Sequence, residues 1–284
     1  MKTTPTHTLM PRRDSRPQLS LPLAMAMCSL AACLAETRAE NVDNEMVLLI
    51  DITRPGLSTT QFSQLMDGYA TAFSSTQVLD SIQSGQYGRI AVSMMFYGNS
   101  STQIVGIPWM EIGNMTQAQQ FASLARSLTM PFSVSTANLG AALNAATISF
   151  GTETGYADNG FQSVIQTIEV ASAKAQPNPT GAATAASSDN ALASGVDLIN
   201  GLALGNQANA INNFYTNNVI GSTIPGVLPT STTSAINGAL ASTISGLMND
   251  NVQTGAAVSI TAVPEPSTLL GLIPAALLFL RRRR

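Results

Sequence analysis

Residues 45–51, EMVLLID, constrain the fold most strongly, because they form a continuous apolar run that ends in a carboxylate. Strands of this kind are buried on both faces, as in the centre of a parallel sheet. In the segment that follows, Ser58 and Gln61 have the spacing of a helix capping box, and the apolar residues share one helical face. We therefore expect a central parallel strand, with Asp51 at its carboxyl end, followed by a packed helix.

Strands and helices alternate along the rest of the chain. Strands are predicted at residues 89–98, 102–112, 161–172 and 196–205, and helices at 116–128, 137–150, 187–195 and within 231–250. This alternation predicts an α/β fold with a doubly wound, mostly parallel sheet flanked by helices. Residues 173–188 are rich in Pro, Gly, Ala and Ser and predict a mobile loop, while residues 251–262 predict a linker.

The amino terminus is typical of an export signal. Basic residues precede an apolar stretch, and TRA at residues 37–39 ends in a small residue, so we predict a signal peptide at residues 1–39. LAAC at residues 30–33 also matches a lipobox, which would place a lipid on Cys33. We favour cleavage after Ala39, because a better-placed small residue follows the apolar stretch and a second sorting signal lies at the other end.

Removal of this leader would restrict the chemistry of the remaining chain. His7, Cys28 and Cys33 are the sole histidine and the two cysteines, and all three lie in the leader. Residues 40–262 therefore exclude a Ser-His-Asp triad, a Cys-His pair and a histidine-ligated zinc site. The same residues carry four basic and thirteen acidic side chains, a net charge of 4 − 13 = −9, which disfavours nucleic acid and anionic membranes as partners.

The carboxyl terminus has three parts in order. VPEPST contains Pro264, Glu265 and Pro266, residues 269–280 are apolar, and four arginines close the chain. The apolar run is shorter than the roughly 20 residues of a comfortable membrane span. The arrangement of residues 263–284 resembles the PEP-CTERM sorting signal, which implies a short hydrophobic transmembrane helix, transient membrane insertion, processing by exosortase, and delivery to the cell surface or extracellular matrix. The alternative is a plain carboxyl-terminal anchor.

Residues 43–250 also carry a resemblance. They are similar to a bacterial branch of uncharacterised von Willebrand factor A-like proteins, and residues 40–250 are accordingly predicted to form one such domain. The resemblance implies a mostly parallel sheet wrapped by helices, with a divalent-cation site at the carboxyl ends of the strands. The matching segments are VLLIDITRPGLSTTQFSQLMDGYATAF, GRIAVSMMFYG, IPWMEI, FSVSTANLGAALNAA, LINGLALGN and INNFYTNNVIG.

The chain departs from this family at the implied cation site. Asp51, Thr53 and Thr136 match ligand positions, whereas Pro55 and Ala173 stand where the family has oxygen ligands, and Lys174 adds a positive charge. Mg²⁺ needs several oxygen ligands in near-octahedral geometry. We therefore expect a degenerate metal site with at most weak Mg²⁺ or Mn²⁺ binding and no other cofactor. Asp51 has an alternative role as a cap of the loop that follows it.

Two functions from different classes remain. The first is a non-catalytic adhesion or extracellular-matrix interaction protein that binds an extracellular protein or polysaccharide. The alternative is an extracellular polysaccharide-active hydrolase that uses acidic residues alone, although Glu111, Glu153 and Asp158 are scattered charges and nothing in the sequence pairs them. The degenerate ion site and the absence of histidine from residues 40–262 favour the adhesion or matrix interaction protein.

Overall fold

β1 (Glu40–Asp51) is the central strand of the fold. β2 (Ile90–Tyr97) pairs in parallel with one side of it, and β4 (Phe161–Ser172) pairs in parallel with the other. The structure is a computed structural model, and it describes residues 39–131, 134–176 and 180–262. Within these residues every side chain of β1 from Val42 to Asp51 is buried, as the apolar run EMVLLID predicts.

The other strands complete a mostly parallel sheet. β5 (Leu198–Leu204) pairs in parallel with β4, and β7 (Ser231–Ser234) pairs in parallel with β5. β3 (Gln103–Ile112) is antiparallel to β2, and β6 (Gly221–Ser222) is antiparallel to β5. The order β3-β2-β1-β4-β5-β6 is that of a doubly wound α/β sheet, so the predicted fold class is confirmed.

Helices cover both faces of the sheet. Seven α-helices occur in the described residues: α1 (Thr59–Phe73), α2 (Thr76–Gln83), α3 (Met115–Ser127), α4 (Leu139–Ser149), α5 (Gly181–Ala193), α6 (Ala208–Asn218) and α7 (Leu240–Ala262). The predicted capping box starts α1, because Ser58 Oγ accepts from the amide of Gln61 and Gln61 Oε1 accepts from the amide of Ser58.

The two cores follow from the alternation of side chains along β1. Met46, Leu48 and Ile50 face α1, α2, α3 and α7, whereas Val47 and Leu49 face α4, α5 and α6. Burying each large apolar side chain contributes about 1.5–3 kcal/mol. This three-layer packing holds the carboxyl end of β1 in place, and that end carries Asp51.

The predicted linker at residues 251–262 is wrong, because these residues form the second half of α7. Asn251, Val252 and Ser259 are buried, and Ser259 Oγ donates to Asp43 Oδ1 at 2.6 Å. Small residues gave this segment the composition of a linker, yet here they allow close packing. A Cβ atom added to Gly255 would lie 2.9 Å from Cβ of Asn44 in β1.

The predicted loop at residues 173–188 is also wrong in its second half, where α5 begins at Gly181. Its small side chains again let helices approach closely, since a Cβ on Gly140 of α4 would lie 2.9 Å from Oγ of Ser187. The segment STTS, predicted as part of the last helix, forms β7 instead.

No helix among the described residues is long and apolar enough to cross a membrane. The signal peptide, except Ala39, and the sorting signal lie outside the described residues.

Candidate functional site

The parallel strands end together along one side of the sheet, which we call the carboxyl edge. Among the described residues, its loops are 52–58, 98–102, 128–131, 134–138, 173–176 with 180, 205–207 and 235–239. In open α/β sheets, ligands bind in the crevice outside the carboxyl ends of the strands. A ligand-binding site is therefore expected at the carboxyl edge.

Asp51 ends β1 at the centre of this edge, with 2% of its surface exposed. Its Oδ1 accepts from the backbone amide of Thr53 at 2.8 Å and from the hydroxyl of Thr53 at 2.7 Å. Its Oδ2 accepts from Ser172 Oγ at 2.7 Å and from Gln176 Nε2 at 3.3 Å. The carboxylate of Asp51 is thus hydrogen-bonded both to the loop after β1 and to residues at and after the end of β4.

Burial shapes the ionisation of this cluster. The pKa of Asp51 is raised above its ordinary value, chiefly because burial disfavours the charged form. Hydrogen bonds from Thr53 and Ser172 and the positive charge of Lys174 oppose that rise. Tyr97 and Tyr215 are fully buried nearby, and their pKa values are raised by burial first and by the charge of Asp51 second.

Lys174 holds two loops of the carboxyl edge together. Its Nζ donates to the carbonyl oxygen of Arg54 at 2.9 Å and to the carbonyl oxygen of Ser135 at 2.5 Å. Close packing supports this bridge, because a Cβ on Gly56 would lie 3.3 Å from Cβ of Lys174 and 2.6 Å from the carbonyl oxygen of Thr53. Lys174 therefore joins the loop after β1 to the loop before α4.

The cation site implied by the resemblance can be tested against these contacts. Asp51 and Thr53 lie together, but both carboxylate oxygens of Asp51 already accept hydrogen bonds from protein groups. Thr136 is exposed in the loop before α4, beside the Lys174 contact, and no hydrogen bond joins it to Asp51 among the described residues. No cluster of three acidic, histidine or cysteine side chains able to hold a metal occurs there either. This donor set does not fit a hard divalent cation.

Arg54 and the start of α1 border a shallow cavity of about 380 Å³. Arg54, Pro55, Gly56, Leu57, Ser58, Thr59 and Gln61 line it. The side chain of Arg54 is exposed. The open surface at the carboxyl edge is consequently polar and carries positive charge next to the buried Asp51 cluster.

The sequence pattern indicates Asp51 and Thr53 but not Ser172 and Gln176, the groups that donate to Asp51 from the loop after β4. Ser172 and Gln176 follow from the strand pairing, since Ile50 of β1 lies opposite Ala171 of β4, which places Asp51 next to Ser172. Ser172, a hydroxyl residue at the end of the neighbouring parallel strand β4, was the feature of the sequence that could have indicated this contact. The sequence indicates only the positive charge of Lys174, whereas in the structure its ammonium donates to two carbonyl oxygens.

The three carboxylates considered for a hydrolase lie elsewhere. Glu111 Oε1 accepts from Gln117 at 2.7 Å, and Glu111 Oε2 lies 3.4 Å from Arg89. Asp158 accepts from the amide of Gly160 in its own turn. Glu153 accepts from Thr152, and no hydrogen bond joins any two of the three among the described residues. Trp109 packs on Phe150 and donates to the carbonyl of Ser149.

A family model described as "Protein of unknown function (DUF1194)" matches residues 41–244. This range runs from the second residue of β1 into α7 and includes Asp51, Thr53, Thr136 and Lys174. No curated protein matches the chain in sequence.

Several solved structures are similar in fold. Proximal thread matrix protein 1 from the mussel byssus is 14% identical with a TM-score of 0.44, over 77% of this chain and 49% of that chain. The pilus adhesin SpaC from Lactobacillus rhamnosus GG is 12% identical with a TM-score of 0.48, over 77% of this chain and 31% of that chain. A von Willebrand factor type A protein from Catenulispora acidiphila is 11% identical with a TM-score of 0.41, over 76% of this chain and 43% of that chain. The chain spans about half the length of the mussel protein.

Proposed function

The chain belongs to the DUF1194 family of proteins of unknown function, and from that premise we propose that it is a non-catalytic binding protein of the extracellular matrix. Its binding surface is the carboxyl edge of the sheet. The fold alone does not determine function, so the proposal has to rest on the contacts of this edge.

One observation carries the proposal: the carboxylate of Asp51, at the centre of the edge, has a structural role and connects two loops by hydrogen bonds. Asp51 is buried, and its two oxygens accept from Thr53, Ser172 and Gln176. A general acid or base has to reach the proton that it transfers. Asp51 instead holds loops in position around an exposed polar surface, which suits recognition better than turnover.

Export and sorting complete the proposal. The signal peptide would send residues 40–262 out of the cytoplasm, and exosortase would process the tail after Pro264, Glu265 and Pro266. The protein would then act at the cell surface or in the matrix. It would bind there without a bridging metal, because the Asp51 donor set does not fit one.

The test compares two matched threonine substitutions in the full-length chain. Thr136→Trp places a bulky ring on the carboxyl edge, whereas Thr152→Trp places the same ring on an exposed position between α4 and β4. We expect Thr136→Trp to reduce retention on native extracellular matrix and Thr152→Trp to leave it unchanged. Equal retention of both variants would contradict the proposed surface. Release of soluble sugar from the matrix by the wild-type chain would favour the hydrolase instead.

A further inference from the structure

Charge is distributed unequally between the two ends of the sheet. The carboxyl-edge loops contain no Asp or Glu, yet they contain Arg54 and Lys174, two of the four basic residues between residues 40 and 262. At the opposite end, where the parallel strands begin, the acidic side chains gather: Glu40, Asp43, Glu111, Glu153, Asp158 and Asp197. The carboxyl edge is therefore a positive surface on an acidic protein.

The two cations of this edge are available to a ligand, unlike the other two. Arg89 pairs with Glu40 at 2.5 Å and with Glu111 at 3.4 Å, and Arg126 pairs with Asp67 at 2.8 Å. Arg54 is exposed and forms no ion pair with a described carboxylate. An ammonium group has three donors. Two of those of Lys174 go to carbonyl oxygens, which leaves one for a ligand.

The amino-terminal end of α1 adds to the positive electrostatic potential at the carboxyl edge. Arg54 and the first residues of α1 line one cavity of about 380 Å³. The amino-terminal end of a helix carries a partial positive charge and favours anions. Arginine binds carboxylates through two parallel hydrogen bonds, so Arg54 is suited to a planar carboxylate placed at this cavity.

The remaining surface of the edge argues for a hydrophilic partner. Protein interfaces bury apolar and aromatic anchors at their centre. The large apolar side chains that are exposed among the described residues lie outside the carboxyl-edge loops: Tyr87, Val105, Leu124, Ile148, Tyr156 and Leu228. Exposed residues of these loops with hydroxyl or amide side chains include Ser100, Ser101, Ser135, Thr136 and Asn206.

We infer that the carboxyl edge binds a polysaccharide that carries carboxylate groups, with Arg54 and Lys174 contacting a uronate carboxylate. Neighbouring hydroxyl and amide side chains contact the sugar hydroxyls. Two cations match a polymer with one charge on each sugar unit, whereas tight nucleic-acid binding needs many phosphate contacts. The inference rests on the proposed function, because it assigns a partner chemistry to the same surface.

The experiment uses the full-length chain and immobilised polygalacturonate, with methyl-esterified polygalacturonate as the matched neutral polymer. We expect binding to the acid form alone. Arg54→Gln should weaken that binding about tenfold, the effect of losing one charge-assisted contact. Arg126→Gln removes an arginine on α3 and is the matched control, expected to bind as the wild type does.

The other outcomes would overturn the inference. Equal binding of the esterified polymer would show that the carboxylate is not recognised, and an Arg54→Gln variant with wild-type affinity would remove Arg54 from the site. Tighter binding of poly-glutamate or of DNA would identify an acidic protein or a nucleic acid as the partner. Matrix retention that Thr136→Trp blocks and Arg54→Gln does not change would preserve the proposed function while contradicting this partner.

Discussion

The hydroxyl of Ser172 donates to Oδ2 of Asp51 across 2.7 Å, and this bond joins the carboxyl ends of β1 and β4. The same hydroxyl accepts from the amide of Lys174 at 3.0 Å. One side chain therefore links the acidic group at the centre of the sheet to the loop whose lysine bridges Arg54 and Ser135. The order of the carboxyl edge depends on this connection.

Ser172→Ala tests the connection. It removes the shorter of the two hydrogen bonds to Oδ2 of Asp51 and leaves only Gln176, at 3.3 Å. We expect a loss of about 1–3 kcal/mol in the free energy of unfolding, the usual effect of an unsatisfied buried polar group. Urea unfolding followed by circular dichroism measures it. Ser100→Ala changes an exposed serine and is the control, and equal stability of both variants would show that the bond contributes nothing.

Two buried glutamates give the protein a pH-dependent stability. Burial raises the pKa of Glu169 to about 8, against a hydrogen bond from Asn251, and it raises the pKa of Glu45 to about 7, against hydrogen bonds from Asn159 and Ser163. Both folded values lie above the ordinary value of 4.5, so the folded state binds more protons than the unfolded state between these limits. The contribution of these two residues to stability is therefore greatest below about pH 4.5, falls as pH rises from there through the folded pKa values of about 7 and 8, and is constant above them.

Glu169→Gln should reduce this dependence, since glutamine cannot ionise. A single shifted group changes the free energy of unfolding by about 1.4 kcal/mol for each pH unit within its range. We expect the difference in unfolding free energy between about pH 5.5 and about pH 9 to be smaller in the variant than in the wild type. Asp189→Asn, at an exposed position of α5, is the control. An unchanged difference in Glu169→Gln would contradict the assignment.

The sequence predicted the elements whose pattern is local. EMVLLID becomes the buried central strand and Ser58 with Gln61 becomes the capping box, because each depends on neighbours within a few residues. The first half of α5 and the second half of α7 were missed, since their small residues pack by close approach instead of by large apolar side chains. The donors to Asp51 were also missed, because Ser172 and Gln176 lie more than 100 residues away and reach it through strand pairing.

Two glycines of α7 provide a test of the helix that replaced the predicted linker. A Cβ on Gly246 would meet nothing within 4 Å, whereas a Cβ on Gly255 would lie 2.9 Å from Cβ of Asn44. Alanine in place of a helical glycine stabilises by about 0.5–1 kcal/mol where space allows. We expect Gly246→Ala to raise the unfolding temperature and Gly255→Ala to lower it. Equal shifts would mean that residues 251–262 are not packed against β1.

Processing of both termini can be read from one mass spectrum of the exported protein. Cleavage after Ala39 gives Glu40 as the first residue, because a small residue follows the apolar stretch of the leader. In a cell with exosortase, we expect the four terminal arginines to be missing from the same molecule, since the apolar run is short and contains Pro274. A lipidated Cys33 would identify a lipoprotein instead, and an intact carboxyl terminus would identify a retained anchor.

The last prediction concerns metal. A Mg²⁺ ion gives up its water reluctantly and needs several well-placed oxygen ligands in exchange. Here Asp51 accepts hydrogen bonds at both oxygens, Pro55 and Ala173 offer no side-chain oxygen, and Lys174 brings a positive charge to the adjacent loops. We expect calorimetric titration of the full-length chain with Mg²⁺ or Mn²⁺ to show at most weak, millimolar binding, and Asp51→Asn to change it little. Micromolar binding that Asp51→Asn abolishes would restore the ion site and contradict a metal-free partner.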